Sequence, residues 1–337
     1  MGVKLPGILP VKTLKWEDLK NKKIGIDASN ALYQFLSSIR QADGTPLMDS
    51  KRNITSHLSG IFYRSLNLMQ KGILMTYIFD GKPPELKFQT QQIRKKRKEQ
   101  AREKYLKAKD EEDIDSMYKY SKQVTYLNNE MVSESKELIN ALGIPVIQSP
   151  QESDAQGAFM VEQGDLWAFA SSDADCLLHG CPRTIPNLTL SQKRKLPGNK
   201  FVYIQPELIE LKDVLNHLNL NQDQLIIMGI LTGTDYNPGG IFKIGPKKAL
   251  NLVQQEKNFE RLFDELKPDF NWKQIYAIFK SMPIMKNYQL NWNSPNHEKI
   301  LKILVDKHEF SQERIEKALQ GTTKKPKEQK GLSSWFK

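Results

Sequence analysis

Four short apolar runs punctuate the first half of the chain: Lys23-Ile24-Gly25-Ile26, Met75-Thr76-Tyr77-Ile78-Phe79, Ile144-Pro145-Val146-Ile147 and Trp167-Ala168-Phe169-Ala170-Ser171. Brief runs without polar alternation predict strands covered on both faces of a parallel sheet. Between them the apolar positions repeat at helical spacing. Ile54, Leu58, Ile61, Phe62, Leu66 and Met69 form one stripe, and Leu138, Ile139 and Leu142 another, stopped by Gly143. Strand alternating with helix predicts an α/β fold, a parallel-sheet core with helices on both faces and right-handed crossovers. Past residue 200 the pattern becomes helical, with Leu225 to Leu231 buried and further apolar faces at 275–279 and 300–305.

From about 82 to 128 the alternation breaks. Residues 82 to 109 carry eleven basic side chains against Glu85, Glu99 and Glu103, then turn abruptly acidic at Asp110-Glu111-Glu112-Asp113. No apolar face runs through the first half, so this insertion is expected to stand off the core. It is either a solvated helical hairpin or, from its position just after an acid-ended strand, a lid over a site.

Composition narrows the setting. The 337 residues have a formal net charge of +11, and most of that excess lies in the insertion, which points to a polyanionic partner. No uncharged apolar run approaches the roughly 18 residues of a membrane helix, and the first residues lack a signal-peptide core. Cys176 and Cys181 are the only cysteines, so no disulfide framework is expected and the setting reads as intracellular. Cys176, His179 and Cys181 lack a fourth ligand nearby and read as buried groups rather than a zinc site.

The chemistry lies where the acids fall. Ile26 is followed by Asp27, Phe79 by Asp80, and the fourth run by Asp173 and Asp175; the third leads into Glu152 and Asp154. Strand C-termini of a parallel sheet share one edge, so these acids are expected to converge there. Asp235, in Gly233-Thr234-Asp235-Tyr236, is the seventh candidate. Each has an ordinary alternative: Asp27 as a helix cap, Glu152 in a capping box with Ser149, Asp235 in a turn. Capping gives no reason for apolar strands to finish repeatedly in acid. Asp173 and Asp175, two apart in extended chain, should share a face. Seven such carboxylates cannot ionise together without cations, and oxygen donors select Mg²⁺, with Mn²⁺ able to substitute. Two ions about 3.5–4 Å apart suit water attack on a phosphodiester. They leave the site net negative, so phosphate needs nearby cations; Lys87 and Arg94, seven apart, share a helical face that can supply them.

The stretches Ile26-Asp27-Ala28-Ser29-Asn30-Ala31-Leu32-Tyr33, Phe79-Asp80-Gly81-Lys82-Pro83-Pro84, Ser172-Asp173-Ala174-Asp175 and Gly233-Thr234-Asp235-Tyr236 closely resemble flap endonucleases, in the wider XPG family of structure-specific 5′ nucleases, over essentially the whole chain. The compact length resembles archaeal members, which implies a cytoplasmic, nucleoid-associated enzyme, or a nuclear one in a eukaryote. The resemblance implies a PIN-like nuclease core divided as 1–98 and 116–258, with a basic helical arch at 82–128, a C-terminal helical region at 259–320 and a tail at 321–337. It implies two Mg²⁺, one mainly around Asp27, Asp80, Glu152 and Asp154, the other around Asp173, Asp175 and Asp235. It places Lys87 and Arg94 at the scissile phosphate and Tyr33 against the adjacent base, with Lys82, Lys95, Arg97 and Lys98 as arch contacts to DNA. Gly240 to Lys248 resembles the family's helix–two-turn–helix motif, whose Lys243, Gly245, Lys247 and Lys248 face backbone phosphate. The family usually has glutamate at Asp154 and glycine at Lys243, which puts a metal contact and a tight turn in question. Gln329, Leu332, Trp335 and Phe336 resemble the peptide that binds the sliding clamp PCNA. The implied activity is Mg²⁺-dependent removal of 5′ flaps from branched duplex DNA in replication and repair, with 5′-3′ exonuclease action, by a monomer. A processive exonuclease or four-way-junction resolvase of the same family, and a non-catalytic clamp-associated DNA-binding protein, are the alternatives.

Overall fold

The computed structural model describes residues 9–323 except 42, 112, 187, 190–192 and 196–200. The clamp-like peptide at 329–336 lies outside the described residues. The main sheet contains β1 (Lys12–Thr13), β2 (Lys23–Asp27), β3 (Leu74–Phe79), β4 (Val146–Gln148), β5 (Ala168–Ala170), β6 (Arg183–Thr184) and β9 (Glu207–Glu210), in the order β1-β9-β6-β5-β2-β3-β4. The strands β7 (Lys193–Lys195) and β8 (Phe201–Tyr203) pair separately. From β6 to β4 every pairing is parallel, whereas β9 runs antiparallel to β6 and β1 antiparallel to β9. The sheet is therefore mixed at one edge, where the expectation was a purely parallel one. Its extra strands are two to four residues long, too short to leave an apolar run.

The helices fall largely between these strands. After β2 come α1 (Ala28–Ser38) and α2 (Ser56–Gln70); after β3 comes a charged hairpin of α3 (Phe88–Asp110) and α4 (Ile114–Ser121), then α5 (Asn129–Ala141). The helix α6 (Ser153–Glu162) joins β4 to β5, and α7 (Asp175–Leu178) follows β5. Past β9 the chain is helical: α8 (Leu211–Leu218), α9 (Gln222–Thr232), α10 (Pro246–Gln255), α11 (Phe259–Leu266), α12 (Trp272–Ser281), α13 (His297–Leu301), a π-turn at Lys302–Lys307, and α14 (Gln312–Thr323).

Strand alternation divides the core in two. Tyr77 and Phe79 of β3, with Ala168 and Ala170 of β5, pack among α1, α2, α5, α13 and α14. Ile78 and Phe169, one residue out of phase, pack on the opposite face among α6, α7 and α9. Each such fully buried aromatic or aliphatic side chain contributes about 1.5–3 kcal/mol. The second face is tightened by Gly157 of α6, where any Cβ would lie 2.4 Å from the Phe169 ring. That approach sets the helix whose N-terminus carries Glu152 and Asp154. Because β4 leads through α6 to β5 on the far side of β2, the strand order reverses between β2 and β5. Ligands bind in the crevice that such a reversal opens at the strands' C-terminal ends.

Candidate active site

One cavity of about 650 Å³ lies at that edge, lined by all seven acids, Asp27, Asp80, Glu152, Asp154, Asp173, Asp175 and Asp235, together with Tyr33, Lys87, Arg94 and Lys98. Each acid is held by a different local device. Asp27 ends β2 and caps α1, its Oδ1 accepting the Asn30 N–H at 2.9 Å; cap and cavity wall are thus one residue. Asp80 follows β3, and its Oδ1 accepts the Ser153 N–H at 2.8 Å in the first turn of α6. Gly81 makes that junction possible, since a Cβ there would lie 2.3 Å from the carbonyl oxygens of Ser149 and Pro150.

Glu152 does not serve in a capping box with Ser149. The helix begins at Ser153, Glu152 is its extended N-cap residue without a side-chain cap bond, and its carboxylate turns into the cavity. Asp154, one residue inside the helix, is therefore not aligned with Glu152 by helical geometry. Asp173 and Asp175 reach the cavity differently from the expected strand alternation: β5 ends at Ala170, Ala174 is already helical, and Asp175 opens α7. Asp235 sits in a loop braced from within, where the Asn237 Oδ1 accepts from the Thr234 N–H at 3.0 Å and its hydroxyl at 2.7 Å.

Burial and mutual repulsion work against ionisation here. Burial, then the charge of Asp80, pushes the Asp27 carboxyl up to about 7. Asp154 is raised well above its ordinary value by burial and by Asp27, Asp173 and Asp175, and Asp173 is raised chiefly by burial. The Oδ1 of Asp154 is buried with no hydrogen-bond partner.

Two cations from the base of the hairpin answer part of this charge. Lys87 Nζ lies 2.5 Å from Glu152 Oε1 and 3.4 Å from Asp235 Oδ2, and Arg94 Nη2 donates to both Asp235 oxygens at 2.6 and 2.8 Å. Burial opposes the Lys87 charge, but Glu152 and Asp235 outweigh it and hold that ammonium above its ordinary value. Lys98 stacks over Tyr33, its Nζ 5.2 Å from the ring centre. Among the described residues no three acidic, histidine or cysteine side chains converge closely enough, as they stand, to hold a metal ion. Glu152 and Asp235 are turned instead toward Lys87 and Arg94. The donor set nevertheless fits a hard divalent cation: it is all carboxylate, it carries more negative charge than its own cations neutralise, and it contains an orphaned buried oxygen.

The remaining expected contacts lie elsewhere. Arg97 lines an adjoining cavity of about 440 Å³ with Arg94 and Gly239. Lys82 and Lys95 are exposed outside both cavities, as are Lys243 and Gly245 on the separate turn leading into α10 and Lys247 and Lys248 in that helix's first turn. Lys243 adopts φ +62°, so the turn keeps its left-handed corner without glycine at a cost of about 1–2 kcal/mol. Cys176 and Cys181 are buried free thiols. Two residues at the site carried signals that were not assigned. Thr90 lies between Lys87 and Arg94 on the same helical face, and its buried hydroxyl donates to the Asp235 carbonyl at 2.5 Å. Tyr236 follows Asp235 directly, and its hydroxyl donates to Glu152 Oε2 at 2.7 Å.

A sheet edge rich in carboxylate under a basic hairpin defines a class of nuclease cores, and the sequence places the chain within it. Residues 1–101 match the XPG N-terminal domain and residues 143–235 the XPG I-region. The chain is 48% identical to flap endonuclease 1 of Pyrococcus furiosus over 340 residues, covering all of both proteins. It superposes on the solved flap endonuclease-1 of Methanococcus jannaschii with a TM-score of 0.77 and 40% identity, over 95% of this chain and 98% of that one. The catalytic core of Rad2 in complex with a DNA substrate shares the fold, with a TM-score of 0.65 and 20% identity over 94% and 96% of the two chains. The chain belongs to the flap endonuclease family.

Proposed function

We propose that this protein is a structure-specific 5′ flap endonuclease with accompanying 5′-3′ exonuclease action, dependent on Mg²⁺ or Mn²⁺ and acting on branched duplex DNA. One observation carries the reading: seven carboxylates from distant parts of the sequence line a single cavity beneath Lys87 and Arg94. In it, Asp27, Asp80, Glu152 and Asp154 would hold one divalent cation and Asp173, Asp175 and Asp235 a second. Bound cations supply charge neutralisation and a polarised water for phosphodiester hydrolysis. Lys87 and Arg94 exchange their present carboxylate partners for the scissile phosphate and stabilise the charge developing on it. Tyr33, 40% exposed at the cavity wall, offers a ring for stacking on the adjacent base. The hairpin of α3 and α4 serves as the arch over the 5′ strand, with Lys82, Lys95, Arg97 and Lys98 meeting its phosphates. Lys247 and Lys248 sit in the first turn of α10, where the helix dipole disfavours cations unless an anion is bound. With Lys243 and Gly245 they supply a second phosphate contact on the duplex. Gln329, Leu332, Trp335 and Phe336 act as a docking peptide for the sliding clamp.

The test compares 5′-flap, nicked and four-way-junction duplexes with Mg²⁺ and with chelator. Preferred flap cleavage that chelation abolishes is the expected outcome. Preferred junction resolution assigns the chain to the alternative family activity, and binding without cleavage of any substrate to a clamp accessory.

A further inference from the structure

Glu152 is held at both of its oxygens. Oε1 faces Lys87 Nζ at 2.5 Å, whereas Oε2 accepts the hydroxyl proton of Tyr236 at 2.7 Å. The phenol is itself immobilised. The Tyr236 N–H donates to Thr234 Oγ1 at 3.0 Å, the Asn237 amide ties the same loop to the Ile230 carbonyl at 2.8 Å, and the Tyr236 ring meets Phe279 of α12 edge to face with centroids 5.4 Å apart. Tyr236 is 4% exposed and is not among the residues lining the cavity. Its hydroxyl meets the site at Glu152.

A glutamate at a helix N-cap, outside the helix and without a cap bond, has several staggered rotamers open to it. Lys87 can fix one oxygen but belongs to the hairpin base, and a cation that takes Oε1 displaces it. The phenol is then the one named contact that keeps Oε2 turned away and Oε1 presented to the cavity. An outer hydrogen bond of this kind orients a ligand, and losing such a partner typically costs 10–100-fold in metal affinity.

We propose that Tyr236 is a positioning residue: its hydroxyl holds Glu152 in the one orientation that offers Oε1 to a divalent cation, and the Phe279 contact anchors that orientation to the C-terminal helices. This rests on the metal-dependent reading of the cavity, and the test separates the two. Mn²⁺ is titrated into the full-length, DNA-free protein by calorimetry, alongside kcat and KM for a 5′-flap duplex. Wild type that takes up no Mn²⁺ overturns the cavity reading itself. Given wild-type binding, Tyr236→Phe keeps the ring on Phe279 and removes only the donor. The expected result is a 10–100-fold weaker Mn²⁺ affinity, a kcat lowered in proportion and recovered at high Mn²⁺, and an unchanged KM for DNA. Wild-type Mn²⁺ affinity in Tyr236→Phe overturns the proposal. A loss caused by general loosening of the loop is told apart in the Glu152→Ala background. There Tyr236→Phe should weaken Mn²⁺ binding no further, and an additive loss overturns the positioning role.

Discussion

Asp49 and Glu134 are buried as deeply as Asp27, at 9%, 6% and 7% exposure, yet their surroundings are opposite in kind. The His308 ring lies between the first pair, Nδ1 at 3.1 Å from Asp49 and Nε2 at 3.1 Å from Glu134. Lys307 adds a cation to Glu134 at 2.5 Å, and the Asn53 N–H and side-chain amide both donate to Asp49. Burial opposes ionisation there as well, but these partners prevail, drawing Asp49 down to about 2 and Glu134 below its usual value. In the cavity the balance runs the other way, with Asp27 pushed up to about 7 and Asp154 higher than normal. The first cluster pairs every acid and staples the C-terminal segment to the loop before α2 and to α5. In the second, Asp27, Asp154 and Asp173 face other acids, while Glu152 and Asp235 meet Lys87 and Arg94. Burial alone therefore does not mark a functional carboxylate; burial without compensation does.

The largest effect that separates the clusters is on catalysis. Replacing Asp173 and Asp175 together by Asn should lower kcat on a flap duplex about a thousandfold or more, since metal-assisted stabilisation amounts to several kcal/mol and each 1.36 kcal/mol is tenfold. DNA affinity, measured by fluorescence anisotropy, should survive. The paired cluster is expected to show the reverse. His308→Ala takes one partner from each of two buried carboxylates and should cost about 3 kcal/mol in urea unfolding, while a flap assay on the protein that remains folded should stay near wild type. If the cavity substitutions unfolded the protein while His308→Ala abolished chemistry, the two assignments would be exchanged.

Divalent cation gives the next contrast. At about a hundred times its dissociation constant, Mg²⁺ should stabilise the wild type by about 2.7 kcal/mol. The gain in thermal midpoint should be larger at pH 8 than at pH 5. Asp27, raised to about 7, still holds its proton at pH 5, and a cation must displace it. Without metal the linkage signs differ as well. The folded state binds more protons than the unfolded state through Asp27, so this contribution to stability falls as pH rises from about 4 to 7. Asp49, with a folded value near 2, contributes stability that is lost only as pH drops from about 4 toward 2. A Mg²⁺ shift equal at both pH values would remove the distinction.

Much of the cavity was legible because its acids sit at the ends of apolar runs, a local pattern that parallel pairing turns into proximity. Lys87 and Arg94 were legible for a similar reason, being seven apart on one helical face. The paired cluster left no comparable trace. Asp49 and His308 are 259 positions apart, and nothing local about either foretells the other. Thr90 and Tyr236 fall between: both lie inside recognisable stretches, but a hydroxyl's partner is settled only by packing. The geometry around Asp175 was misjudged because a run ending in Ser171 gives no sign that the strand stops at Ala170 and a helix opens five residues later.

The smallest expected effect is the sharpest in sign. Asp154→Asn removes a carboxylate that four other acids destabilise and whose Oδ1 meets no donor; its new amide can donate to those same neighbours. Metal-free at pH 8, this variant should be more stable than wild type by roughly 1–2 kcal/mol, the scale on which a pKa unit converts to free energy. Asp49→Asn is the same chemical change in the paired cluster. It replaces an acceptor with a mixed donor and acceptor beside the Asn53 amide and the His308 ring, and should destabilise by about 1–3 kcal/mol. Urea midpoints of the two variants should therefore move in opposite directions. Midpoints that fell together would mean that Asp154 is already compensated within the protein, and that its cavity holds no surplus of charge for a cation to relieve.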